Sequence, residues 1–270
     1  MKVLLNNKQL NKVLENNKNL NFVPTMGSLH EGHISLIKKS KTKSKNTIVS
    51  IFVNPDQFNS KKDFRNYPRN IKKDISILKK LNVEYLYMPN TKEIYDKSYK
   101  IKIKIARKHK VLCAKFRKGH FEGVLKVMDR LTNLIKPKKI FMGEKDYQQF
   151  ILVKSFLEKK YKTKVVLCKT IRDYRGLALS SRNRLLKKSQ ISLAQNISIN
   201  LRKIKNNLKN LKNVKKRLNE YKKFIEKKYD IKIQYLELRN IKNLKISKNL
   251  KKSKLFVAYF LDGVRLIDNY

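Results

Sequence analysis

The chain of 270 residues has no tryptophan, two cysteines, five prolines, seven glycines and four histidines. Acidic residues are scarce as well: 20 Asp+Glu stand against 67 Lys+Arg, a formal charge of +47. Cys113 and Cys168 lie far apart and without metal-ligand spacing, which excludes a disulfide framework and a cysteine-based zinc site. No run approaches the roughly 18 apolar residues of a membrane helix. The start, MKVLLNNKQLNKVL, soon turns polar and lacks a small-residue cleavage site. The expectation is a cytoplasmic protein with no membrane partner.

What is present argues for a folded protein. Hydrophobic residues make up 41% and aromatics 9%, too much apolar material for a solvated basic tail. Lysine dominates the charge, and asparagine, isoleucine, phenylalanine and tyrosine accompany it, the profile that an A/T-rich coding sequence favours. The lysines are dispersed, although Lys187–Lys254 holds 22 Lys+Arg against 4 Asp+Glu. The excess is read as compositional drift and not as a nucleic-acid-binding device.

Because glycine and histidine are rare, their clustering is informative. Gly27 and Gly32 bracket His30 and His33, Gly119 and Gly123 bracket His120, Gly143 opens GEKD, and Gly176 opens GLALSSR. Only Gly263 and His109 fall outside these clusters.

The pattern through the first two-thirds alternates strand and helix. Strands are expected at NFVPT, TIVSIFVN (47–54), VEYLYM (83–88), KKIFM (138–142) and KVVLC (164–168), with YKIKIKI (99–105) as a further alternating segment. Helices are expected from about His30 and over about 68–81, 121–135 and 145–160. TIVSIFVN reads as a strand buried on both faces. This predicts an α/β, Rossmann-like parallel sheet, which binds ligands at the carboxyl ends of its strands. From about Arg175 two amphipathic lysine-coated helices, 189–211 and 214–229, precede strands IKIQYLEL and KLFVAYFL, a smaller α+β unit. The expected domains are 1–174 and 175–270.

The chemistry is concentrated in the clusters. In Met26-Gly27-Ser28-Leu29-His30-Glu31-Gly32-His33, a helix starting near His30 stacks the two imidazoles on its first turn, where free N–H groups and the positive dipole end suit phosphate. Gly32 leaves room for a nucleotide. Lys145 of Gly143-Glu144-Lys145-Asp146 supplies a point cation directly after a strand. Arg182 of Leu179-Ser180-Ser181-Arg182 offers a bidentate grip on phosphate oxygens. Gln57 and Gln149 carry amides that suit a hydroxyl-bearing carboxylate.

HxGH after a first strand resembles the nucleotidyltransferase superfamily. The strings FVPTMGSLHEGHISLI, VSIFVNPDQF, RKGHFEGV, IFMGEKDYQQ and GLALSSRNRLL, in that order, resemble the pantothenate synthetase (pantoate–β-alanine ligase) family, from about residue 20 to RLIDN at 265–269. The resemblance implies ATP-dependent condensation of (R)-pantoate with β-alanine through a pantoyl adenylate, with Mg²⁺ accompanying ATP, a homodimer, and a C-terminal lid domain. It implies that His30, His33, Lys145 and Arg182 are catalytic, His33 standing at the proton donor's position. ATP is then bound by Met26–His33, Gly143–Asp146, the Ile171 backbone and Leu179–Arg182. Gln57 contacts pantoate and β-alanine, Gln149 contacts pantoate, and Asp146 contacts ribose or helps hold Mg²⁺. Arg117 and His120 fall in a flap. No motif forms a protein-only metal cage.

The chain departs from the family pattern at four places. Cys113 stands in place of glutamate, Lys118 of proline, Glu122 of arginine and Arg175 of the aspartate in DGLALSSR. These bear on the rigidity of the flap, on ATP entry and on the hinge. Two other readings compete: an HxGH nucleotidyltransferase with a different acceptor, which would place cations where Gln57 and Gln149 stand if that acceptor carried phosphate, and a basic nucleic-acid-binding protein.

Overall fold

A β-branched and aromatic run flanked by polar turns becomes a strand only where another strand completes its hydrogen bonds. In the computed structural model, which describes residues 1–44, 46–96, 99–208 and 213–270, this condition sorts the apolar runs. Six strands satisfy it in one parallel sheet: β1 (Lys2–Leu4), β2 (Asn21–Thr25), β3 (Thr47–Ile51), β4 (Tyr85–Tyr87), β5 (Lys139–Gly143) and β6 (Lys164–Cys168). Their spatial order is β1-β4-β3-β2-β5-β6. The connecting helices are α1 (Asn7–Glu15), α2 (Glu31–Lys41), α3 (Lys61–Arg65), α4 (Ile71–Lys80), α5 (Thr91–Ile94), α6 (Cys113–Phe116), α7 (His120–Ile135) and α8 (Tyr147–Lys160).

Both faces of this sheet are covered. Phe22, Ile48 and Ile140 face one cluster with α7 and α8, while Val23, Val49 and Phe141 face the other with α2 and α4. Alternate residues of one strand thus point to opposite cores. Every residue of β3 is buried, as its unbroken apolar run predicts.

The expected boundaries shift in two places. The run 47–54 stops being a strand at Ile51: Phe52 N–H turns to the Thr25 carbonyl (3.1 Å), and Asn54 caps a 3-10 turn, Pro55–Gln57. The alternating segment 99–105 is not a strand. Ile103 and Ile105 pack on the core without a ladder partner, and β1 already lies along β4 at that side of the sheet. β1 and α1, too short and polar to stand out, were not expected.

The second unit comprises α9 (Lys188–Asn207), α10 (Val214–Tyr229) and an antiparallel sheet, β7 (Lys232–Asn240), β8 (Ser253–Leu261) and β9 (Val264–Asn269), in the order β7-β8-β9. The last expected residues of the first C-terminal helix, 209–211, lie outside the described residues. Alternation along β8 does double duty: Leu255, Val257 and Tyr259 face α9 and α10, whereas Phe256 and Ala258 join the large core of the first unit. One face of the small sheet is therefore packed against the parallel sheet's own core.

Candidate active site

The order of the parallel sheet fixes where a ligand can sit. From β2 the chain moves one way to β3 and β4 and later the other way to β5 and β6, so the crevice lies beyond the carboxyl ends of β2 and β5. HxGH follows β2 and GEKD follows β5. A cavity of about 230 Å³ opens there.

The β2–α2 turn is built around Asp74, a carboxylate on α4 that is 1% exposed. It accepts the Ser28 and Leu29 backbone N–H groups, both at 2.8 Å. Gly27 and Ser28 both have positive φ (77° and 52°). The turn therefore needs glycine at 27, where a Cβ would also stand 3.0 Å from Asp74 Oδ2. This clamp delivers His30 as the N-cap of α2. Its Nδ1 accepts the Gly32 N–H at 3.1 Å, and His33 Nδ1 accepts the His30 N–H at 3.4 Å. Both Nδ1 atoms are acceptors, so in the neutral rings the proton sits on Nε2, the atom free to donate to a phosphate oxygen. The rings lie 4.1 Å apart.

Burial, then the Lys145 and Arg184 charges, lower the His30 pKa to about 4. Burial, then His30 and Lys145, hold His33 well below its ordinary value. Both imidazoles are neutral at pH 7. Gly32 serves this arrangement directly, because a Cβ there would lie 2.7 Å from His30 Cε1. The glycine first makes room for the histidine ring, whereas the room expected was for a nucleotide. At Gly143 a Cβ would meet only open space, so that glycine answers no demand of the protein's own packing.

Lys145 sits on the 3-10 turn Glu144–Asp146 at the start of α8 and is ion-paired to Asp146 at 3.3 Å. The turn is held from behind by β9, where Asn269 Nδ2 donates to the carbonyls of Glu144 (2.8 Å) and Lys145 (3.0 Å). Across the cavity, the 3-10 turn Ser181–Leu185 is docked on the HxGH loop: Ser181 Oγ donates to Ser28 O (3.1 Å), and Arg184 donates to Ser28 Oγ (2.9 Å) and Leu29 O (2.8 Å). Arg182 is bound by Asp63 of α3 at 2.7 Å.

Most of the expected residues line this one cavity. Met26, His30, Gly32, His33 and Gln57 form one side, Gly143, Lys145, Asp146 and Gln149 another, and Ile171 with Leu179–Arg182 a third. Gly27, Ser28, Leu29, Glu31 and Glu144 do not line it. Leu29 is core, Glu31 is exposed, and Glu144 pairs with Lys254 at 3.0 Å. Asn54 and Tyr67 line the cavity unforeseen, and Asp74 and Arg184 hold the HxGH loop beside it. For Asn54 the Asn-Pro dipeptide was a readable signal; for Asp74, one acid in a lysine-rich helix, there was none.

The flap is anchored at Gln57, whose carbonyl takes His120 Nδ1–H at 2.6 Å and Arg117 Nη2–H at 3.1 Å. Burial, then Arg117, lower the His120 pKa to about 3. A Cβ at Gly123 would stand 2.2 Å from the Asp56 carbonyl, so α7 approaches this turn only as glycine allows. The Lys118 carbonyl accepts from Asn59 (2.6 Å), and Arg175 reaches Asn196 on α9 (2.6 Å), away from the cavity.

Solved proteins share this fold. The family model for pantoate-beta-alanine ligase matches residues 2–270. The chain belongs to this family. Pantothenate synthetases from Endomicrobium trichonymphae and Sulfurihydrogenibium sp. are 39% and 37% identical, the matches covering all of this chain and 97% and 99% of theirs. A solved pantoate-beta-alanine ligase from Francisella tularensis, complexed with beta-gamma ATP and beta-alanine, is 37% identical with a TM-score of 0.83, covering 100% of this chain and 97% of its own. The pantothenate synthetase of Thermus thermophilus is 28% identical with a TM-score of 0.89 and covers 99% of its own chain. No helix among the described residues is long and apolar enough to cross a membrane.

Proposed function

We infer that the protein joins (R)-pantoate to β-alanine at the expense of ATP, releasing AMP and pyrophosphate. The observation that carries this reading is the convergence, in one cavity at the switch point, of two Nε2–H imidazoles, the cations Lys145 and Arg182 and two neutral glutamine amides. In the first step a pantoate carboxylate oxygen bonds to the α-phosphorus as the bond to pyrophosphate breaks. In the second, the amine nitrogen bonds to the acyl carbon as the acyl–oxygen bond breaks. AMP leaves with the electron pair, and the nitrogen of the original ammonium gives up two protons. Two anions must meet in the first step, so neutralisation and positioning dominate the catalysis.

His30 and His33 donate Nε2–H hydrogen bonds to the phosphates, His33 from the position that the resemblance assigns to the proton donor. Lys145 and Arg182 neutralise the triphosphate, for which Arg182 must exchange Asp63 for phosphate. Ser180 and Ser181 donate hydroxyls, the Met26–His33 and Gly143–Asp146 stretches hold ATP, and the Ile171 backbone meets adenine. Gln57 and Gln149 bind pantoate, whose hydroxyls and carboxylate call for donors and acceptors together. Gln57 also meets β-alanine. Mg²⁺ would be carried in on the triphosphate, with Asp146, a carboxylate lining the cavity, as the residue to hold it. Bound there it would neutralise phosphate oxygens.

The proposal includes a functional division at 174/175, in the turn between the bridged residues Arg172 and Ala178, with 175–270 acting as a lid. It also includes a homodimer and a cytoplasmic location. The deciding experiment is pyrophosphate release from ATP with and without pantoate. Release is expected to depend on pantoate, and release indifferent to pantoate overturns the reading.

A further inference from the structure

His33 can serve the reacting phosphate only if its ring keeps one orientation and one tautomer. Both depend on the hydrogen bond from His30 N–H to His33 Nδ1, which at 3.4 Å is long for that task. Its donor belongs to the Leu29–His30 peptide group. That group is planar, so whatever fixes the Leu29 carbonyl also aims and polarises the His30 N–H. The Leu29 carbonyl accepts Arg184 Nη2–H at 2.8 Å.

The preceding peptides are held from the opposite side. Leu29 N–H donates to Asp74 Oδ1 and Ser28 N–H to Asp74 Oδ2, both at 2.8 Å, while Ser28 Oγ accepts Arg184 Nη1–H at 2.9 Å. Leu29 is therefore gripped by a carboxylate at its N–H and by a guanidinium at its carbonyl, and these charge-assisted bonds reinforce each other along the chain. The loop needs the grip, because Ser28 holds a φ of 52° that a residue with a side chain adopts only at a cost. Neither Asp74 nor Arg184 lines the cavity, so neither is placed to touch a substrate. They come from distant segments, α4 and the Ser181–Leu185 turn, and that turn also carries Arg182. When Arg182 leaves Asp63 for phosphate, Ser181 and Arg184 still join the turn to the HxGH loop.

We propose that Arg184 and Asp74 are positioning residues for adenylation that act through His33: held at both ends, Leu29 directs the His30 N–H onto Nδ1 and leaves Nε2–H turned to the phosphate. Arg184 makes this a joint device of the two units. The turn that brings Arg182 to the triphosphate also sets the ring that donates to it, so cation and imidazole meet the phosphates in one fixed relation.

The assignment rests on the proposed reaction, in which His33 serves the adenylation step, and one set of assays tests the two apart. Pantoate-dependent pyrophosphate release is measured for Arg184→Ala, for Asp74→Asn and for each combined with His33→Ala. Asp74→Asn keeps the shape but turns an amide NH₂ toward one of the two N–H groups. Each single variant is expected to lower kcat/KM for ATP about 10-fold, the scale for one hydrogen bond to a charged group, and to leave the KM for β-alanine as in the wild type. In the His33→Ala background the same substitutions should cost little, because the residue they act through is gone. An equal loss in both backgrounds would mark a merely structural role and overturns the assignment, as does a wild-type kcat/KM for ATP in Arg184→Ala. Should Asp74→Asn not fold, Arg184→Ala decides alone, since Arg184 is exposed and its loss leaves the core intact. Absence of pantoate-dependent pyrophosphate release in the wild type overturns the proposed reaction instead.

Discussion

In the crevice beyond β2 and β5 charged groups are few, partly buried and individually placed: Lys145 lies against Asp146, Arg182 against Asp63, and two neutral imidazoles stand between them and the Asp74-clamped turn. On α9 and α10 lysine is plentiful and solvated. Lys188, Lys215, Lys216 and Lys223 are exposed, and the ion pairs of α10 are local ones, Arg217–Glu220 and Lys222–Glu226. The formal +47 averages over these two regimes and describes neither. Charge works in the first because position is fixed by burial and hydrogen bonds; in the second it is free to be screened.

The largest effect expected from breaking this contrast comes from the crevice. His33→Ala removes one preorganised donor to the reacting phosphate, and pantoate-dependent pyrophosphate release should fall by about 10²-fold or more. Near-normal release would take His33 out of the mechanism. No single lysine of α10 should approach that loss.

A second effect follows from the neutral imidazoles. His30 has a folded pKa of about 4 and His120 of about 3, and His33 lies well below the ordinary 6.5. At pH 5.5 the unfolded chain protonates these rings and the folded chain does not. Unfolding there takes up protons, and stability falls as pH drops from about 6.5 toward 4. Denaturant titrations between pH 7 and 5 should show this slope, with about three protons taken up in all from these rings, and His30→Gln should remove about one. A stability that is flat over this range would mean that the rings are already charged in the fold.

These two regions were also unequally legible in the sequence. The strands after which HxGH and GEKD follow were readable because their apolar runs are long and their glycines rare. The segment 99–105 shows the limit of such reading: its alternation is as regular as that of any strand, but pairing depends on a free neighbour, and β1, three residues of unremarkable sequence, lies along β4. Nor did sequence disclose Asp74 or Arg184, whose roles arise where α4 and the Ser181–Leu185 turn meet the HxGH loop. Gly32 stood out by scarcity, but its demand came from the His30 ring. A motif announces which residues matter. The residues that hold it in place come from distant segments and carry no local pattern.

The smallest effect tests the other half of the contrast. α9 and α10 have no acid in their first turns, where a carboxylate meets the positive end of the helix dipole. Lys188→Glu and Lys215→Glu each replace an exposed cation there and reduce the local excess. Each should stabilise the fold by about 0.3–1 kcal/mol at low ionic strength. The gain should shrink as salt is added, because salt screens the same repulsion in the wild type. Turnover should be unchanged if these lysines are compositional drift. A fall in kcat/KM for ATP, with kcat preserved and the difference vanishing at high salt, would instead mean that the solvated charge steers anionic substrates toward the crevice.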